Sequence, residues 1–95
     1  MLPLTELTVE HRPDLSRFQT IVNGQLCVAN YRRTVGVLHM THTEVPVELQ
    51  GRGIAAALVQ AAFAHAMAIG LKVDPQCSYV RAYMRHHPQT MALHA

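Results

Sequence analysis

The chain of 95 residues contains no tryptophan, two phenylalanines, three tyrosines and two cysteines. So few rings, not interleaved with arginine, make no platform for stacking bases. No basic run follows a phosphate backbone either, so no nucleic-acid partner is expected. Cys27 and Cys77 form no close-spaced pair and match no zinc spacing, which predicts neither a disulfide nor a metal site. The seven histidines do not change this. His39 and His42 are three apart and would face opposite sides of a strand, and His86 and His87 diverge on a helix. Long apolar runs are also scarce. Only residues 54–69 qualify, Gln60 and His65 interrupt them, and a membrane span needs about 20 residues. Residues 1–6 show no basic stretch leading into an apolar one, so no signal peptide is read and the expected compartment is the cytoplasm.

What is present describes a folded domain: 49% hydrophobic residues and 15% charged ones. The expectation is a single domain over residues 1–95, with its core at about 18–88 and a loose tail at 89–95. The net charge is only +2, but seven of the eight basic residues are arginine, the side chain suited to phosphate and carboxylate.

The first half reads as an antiparallel meander. Residues 8–11 form a short strand that Pro13 interrupts, 18–22 a second, and Asn23-Gly24 the signal of a two-residue hairpin. Residues 25–31 pair back, Arg32-Arg33 reads as a solvated turn, and 34–45 is a long β-rich run ended by Pro46. After a turn at 47–51, residues 54–69 carry eight alanines and predict a helix stopped by Gly70. This helix is apolar around nearly its whole circumference, which predicts burial on more than one side. Residues 71–73 form a strand, 74–76 a loop, and Ser78 caps a second helix closed by Pro88. The strand–helix–strand crossover predicts parallel, right-handed pairing.

The stretch Gln50-Gly51-Arg52-Gly53-Ile54-Ala55 opens the long helix. Glycines there allow unusual φ/ψ and close approach, and the helix N-terminus adds orphan N–H donors and partial positive charge. A phosphate or pyrophosphate suits such a turn. The P-loop template fails because Ile54-Ala55 stands where Lys and Ser/Thr are required. The dinucleotide fingerprint fits Gly51, Gly53 and Ala56, with Asp74 near the ribose-binding position. Pro46, Glu48 and Gln50, however, do not suit a fully buried parallel strand ahead of it. Gln50-x-x-Gly53-x-Ala55, after a meander and opening a helix, resembles the acyl-CoA pyrophosphate loop of the GNAT acetyltransferase superfamily. His42-Thr43-Glu44-Val45-Pro46, Pro75-Gln76-Cys77-Ser78-Tyr79-Val80, Tyr83 and His87-Pro88 extend the likeness to its short, YjdJ-type branch, over about residues 23–88. The chain departs from full-length members at both ends, where elements that shape the acceptor pocket normally lie.

The resemblance implies an α/β fold of truncated GNAT type, with a meander, glycine turn, buried helix, parallel strand and short C-terminal helix. It implies acetyl-CoA or CoA as co-substrate, held by backbone N–H groups of Gln50, Gly51, Arg52, Gly53, Ile54 and Ala55. Val45 and Val47 would flank the pantetheine arm, in a cleft between the strand ending near Val45 and the strand near Val73. Cys77, in a loop ahead of a helix start, is read either as an acyl-accepting or thioester-positioning thiol or as a packing thiol. Tyr83 is a candidate general acid for the departing thiolate or an amphipathic packing residue. His42 and Glu44, two apart on one strand face, are candidates to take the proton of an acceptor amine. Arg81 and Arg85 are either ligands of the CoA 3′-phosphate or a solvated face. The function implied is N-acetyl transfer from acetyl-CoA to an amine, small molecule or protein. The alternative is a non-catalytic acyl-CoA-binding or partner-binding module. Exposed strand edges leave homodimerisation open.

Overall fold

A computed structural model describes residues 7–95; the reading of residues 1–6 as free of a leader falls outside it. Five strands form one sheet in sequence order: β1 (Glu10–Arg12), β2 (Arg17–Val22), β3 (Gln25–Thr34), β4 (Val37–Glu44) and β5 (Lys72–Pro75). The first four pair antiparallel and β5 joins β4 in parallel. Helix α1 (Ile54–Ala68) makes the crossover and α2 (Ser78–His86) follows β5. No described helix is long and apolar enough to cross a membrane.

Asn23-Gly24 makes the β2–β3 turn, with φ of 50° and 74°. That pair of positive φ values matches the right-handed strand twist. Three local readings are corrected. Arg32 and Arg33 lie inside β3, and the turn falls at Val35-Gly36. The ten-residue strand persists because Arg32 and Arg33 pair with His39 and Leu38, leaving long polar side chains in water. Asp74 and Pro75 belong to β5, opposite His39 and Met40. A proline is tolerated there because it ends an edge strand. Cys77, not Ser78, is the N-cap of α2.

Only one side of the sheet carries helices. Phe18, Cys27, Ala29, Tyr31, Leu38, Met40 and Val73 point to that side and share one core with Leu58, Val59, Ala62, Phe63 and Ala66 of α1 and Val80 and Met84 of α2. Helix α1 therefore buries one stripe, while Gln60, Ala64 and Met67 are exposed. Alanines set the apolar appearance of its outer face and expose little area, so a second cover is not needed. Residues 89–95, read as a loose tail, fall largely in a 3₁₀ turn at Pro88–Leu93. Leu93 packs on the core, and the Ala95 N–H donates to the Val73 carbonyl at 2.8 Å.

At the far end of the sheet, His11 stacks on Phe18 (4.2 Å between centroids), meets His65 edge-on (4.4 Å) and bonds the Tyr31 hydroxyl through Nε2 at 2.6 Å. Burial and the neighbouring His65 hold the His11 imidazole below its usual pKa.

Candidate active site

The parallel pairing of β4 and β5 ends at Met40 and Pro75, but β4 runs on to Glu44. Past Pro75 the chain leaves the sheet for α2, so the two strands part. A cavity of about 360 Å³ opens at this split. Its lining comes from β4 and the segment after it (Thr43, Val45, Leu49), the glycine turn and first turn of α1 (Gln50, Gly51, Gly53, Ile54, Ala55, Ala56), and Tyr79 of α2. The volume lies in the range of small-molecule sites.

The glycine turn has the backbone the sequence asked for. Gly51 and Gly53 both sit at φ 79°, and the space where a Cβ would stand on Gly51 is open. Gly53 is the N-cap of α1 and has no side chain to bond its amides. The first bond of the helix runs from the Ala57 N–H to the Gly53 carbonyl at 3.0 Å. Helix geometry leaves the N–H groups ahead of Ala57 without intrahelical acceptors, facing the cavity end of α1. Gln50 turns its side-chain amide back to donate to the Val45 carbonyl at 3.0 Å, which fixes the turn against the end of β4. Val45 lines the cavity, whereas Val47 is 80% exposed and outside the lining, as is half-buried Arg52.

A bulge decides which β4 side chains reach the cavity. Asn30 pairs with His42 but Tyr31 pairs with Met40, so Thr41 is the extra residue. Alternation then restarts: Met40 points to the helices, and so does Thr43, which faces buried Ala29. His42 and Glu44 are turned to the open side of the sheet, 3.3 Å apart and largely exposed. Without the bulge they would have followed Leu38 and Met40 inward.

Cys77 stands across the split from β4. Its N–H donates to the Met40 carbonyl at 2.9 Å, and its Sγ lies 3.5 Å from the Thr43 Oγ1. Burial pushes the thiol pKa up. The Thr43 hydroxyl and the backbone amides of Val80, Tyr79 and Thr43 outweigh that effect, and the net shift is downward. Opposite the cavity, on the open side, His39 Nδ1 and the Gln76 side-chain amide both bond Asp74 Oδ2, at 2.7 and 2.8 Å. Asp74 thus ties the β4–β5 rung one before the split and does not face the glycine turn.

Tyr83 packs edge-on against Phe63 and stacks on His87, with centroids 5.7 and 4.0 Å away. Tyr79, one turn earlier, is the tyrosine in the cavity wall. Burial first, and then Tyr83, raise the pKa of its phenol. Arg81 donates to the carbonyls of Gln76 (2.6 Å) and Pro75 (3.3 Å), tying α2 to the segment ahead of Cys77. Among the described residues no cluster of three or more His, Cys, Asp or Glu side chains is placed to hold a metal ion. Sequence reasoning missed Thr43, Leu49 and Tyr79 as lining residues. Their only signal was position, inside or beside the segments already singled out.

Parallel strands that part beside a glycine turn and an uncapped helix N-terminus define a mixed α/β domain with a backbone cradle for an anion. The fold is similar to the solution structure of a GCN5-like protein from Staphylococcus aureus, with a TM-score of 0.75, 22% identity, and coverage of 97% of this chain and 91% of that one. The profile described as GCN5-related N-acetyl-transferase matches residues 17–93. Protein NATD1 of Xenopus tropicalis is 32% identical over 94 residues, covering 93% of this chain and 84% of its own length. The human protein of that name is 36% identical over 86 residues, covering 86% and 75%. The chain belongs to the GCN5-related N-acetyltransferase family.

Proposed function

We propose that the chain binds acetyl-CoA in this cavity and moves the acetyl group to an amine. The observation that carries this reading is the cavity itself, whose lining includes the open glycine turn, the first turn of α1 and Thr43; Cys77 is outside the lining and touches it through Thr43. The turn suits the pyrophosphate, through backbone N–H donors and the helix dipole. Val45, Leu49 and Ile54 supply an apolar wall for the pantetheine arm.

Cys77, singled out from sequence, favours a covalent route. The Cys77 thiolate attacks the thioester carbonyl, a bond from Cys77 sulfur to the acetyl carbon forms, and the bond to the CoA sulfur breaks. CoA leaves as a thiolate and takes a proton; the Tyr79 phenol at the cavity wall and Tyr83 one turn on are the hydroxyls on that side. A neutral amine then attacks the Cys77 thioester, forms the amide and returns the Cys77 thiolate. The amine's surplus proton goes to water, because His42 and Glu44 face the opposite side of the sheet. The second reading, acyl-CoA binding without turnover, is favoured by one observation: among the described residues no carboxylate or imidazole lines the cavity.

Calorimetric titration with CoA, together with intact mass measured after acetyl-CoA treatment, tests the proposal. Saturable binding and a single acetyl adduct, absent in Cys77→Ala, are expected. Binding without an adduct, in the presence and absence of an amine panel that also releases no free CoA, would leave only the binding module. No binding would end both readings.

A further inference from the structure

The sulfur of Cys77 has one side-chain partner, and that partner has no part in any step above. Thr43 sits on the far side of the split, and its Oγ1 makes no hydrogen bond other than the 3.5 Å contact to Cys77 Sγ among the described residues. The wall around it is largely apolar, with Val45, Leu49, Ile54 and Ala55 beside the polar Gln50 and Tyr79. A hydroxyl in such a wall is costly unless bonded, and valine would fill the same shape without the cost. We infer that Thr43 is the positioning residue of this site: its hydroxyl spans the split between β4 and the start of α2 and holds the Cys77 sulfur at the rim of the cavity.

The Cys77 N–H bond to Met40 fixes where the residue's backbone stands. The amides of Tyr79 and Val80 reach the sulfur from the start of α2, on its own side of the split, and Thr43 reaches it from β4, across the split, through its amide and its hydroxyl. The hydroxyl contact is a side-chain link between the two elements. It also has a direction. A neutral thiol can donate to the hydroxyl oxygen, but a thiolate only accepts, so in the charged form the Thr43 O–H must point at sulfur. Thr43 thus favours the charged form over the neutral one. The bulge at Thr41 is what turns this side chain inward to do so.

The role of Thr43 gives Cys77 its proposed use only if the acyl-transfer reading holds, but the two are tested separately. The experiment is the rate of Cys77 alkylation by iodoacetamide as a function of pH, on the full chain without acyl-CoA, with peptide mass spectrometry separating Cys77 from fully buried Cys27. Thr43→Val is expected to move the midpoint of the profile to higher pH and to slow alkylation near pH 7 by several-fold, about tenfold for each pH unit of displacement. Thr43→Ser, which keeps the donor, restores the wild-type profile. Thr43→Ala carries the same comparison if the valine variant lacks a cooperative melt. A wild-type midpoint in a folded valine or alanine variant overturns the inference. A displaced midpoint restored by serine supports it even where wild type forms no acetyl adduct, an outcome that counts against the covalent route alone.

Discussion

Two residues show how a single position is constrained by what surrounds it. His11 is held between Phe18, Tyr31 and His65, and burial followed by the charge of His65 lowers its pKa below the ordinary 6.5. The folded state therefore binds a proton less readily than the unfolded chain. Stability from this group is complete above the ordinary histidine value and falls as pH drops through it, because only the unfolded chain gains the proton. Chemical denaturation at pH 7.5 and 5.5 should show wild type losing more stability than His11→Gln over that interval; equal losses would dissociate the cluster from the pH response. Gly51 is constrained by backbone alone. Its φ of 79° strains any residue with a Cβ, yet nothing stands within 4 Å of that position. Gly51→Ala should cost about 1 kcal/mol of stability in a urea melt. It should weaken CoA binding further, because the methyl group would enter the space the phosphates need. Unchanged CoA affinity in calorimetry would remove the turn from the binding site.

At the scale of elements, α1 joins two tasks. Its N-terminus forms the cradle, and one stripe of its side chains anchors it to the sheet. Leu58 is fully buried, while Met67 on the outer face is 66% exposed. Leu58→Ala is expected to cost about 2–5 kcal/mol in a denaturant melt, and Met67→Ala to stay within about 0.5 kcal/mol. Comparable costs would mean that the outer face is covered after all. The β4–β5 pair joins tasks in the same way. His39 and Asp74 bond across the rung before the last, at 2.7 Å, Met40 and Pro75 make the last, and beyond it the strands separate. A tight rung near the base and no strand pairing beyond Pro75 make the split.

The whole molecule is a one-sided sandwich: a five-stranded sheet with both helices on one side and a polar open side. A chain of 95 residues has room for one such core, so ligand binding should contribute visibly to its stability. CoA at about a hundred times its dissociation constant adds about 2.7 kcal/mol. In a domain of this size that raises the melting temperature by about 4–8 °C for each kcal/mol. A thermal shift with CoA, and none with pantetheine lacking phosphates, is expected if the glycine turn carries the affinity; equal shifts would locate the affinity in the apolar wall.

Much of this architecture was legible from local chemistry. Asn23-Gly24 demanded a hairpin, the alanine run a helix, Gly70 its end, and Gln50 to Ala55 a glycine turn opening that helix, because each depends on backbone conformations that only neighbouring residues control. Three things were not legible. Arg32 and Arg33 looked like a turn, since charge says only that a side chain is solvated; the open side of the sheet provides that for Arg32 and the exposed end of β3 for Arg33. The alanine helix looked buried all round, since composition cannot distinguish a covered face from one too small to matter. Above all, alternation along β4 put His42 and Glu44 on one face but could not say which. The bulge at Thr41 arises from the register with β3, sends those two outward, and turns Thr43 toward Cys77, 34 residues further along the chain. The sequence by itself determined the order of the elements and the glycine turn. Only the tertiary structure decided which side chains meet at the split, because facing depends on strand register, and register is set by long-range pairing that no local segment contains.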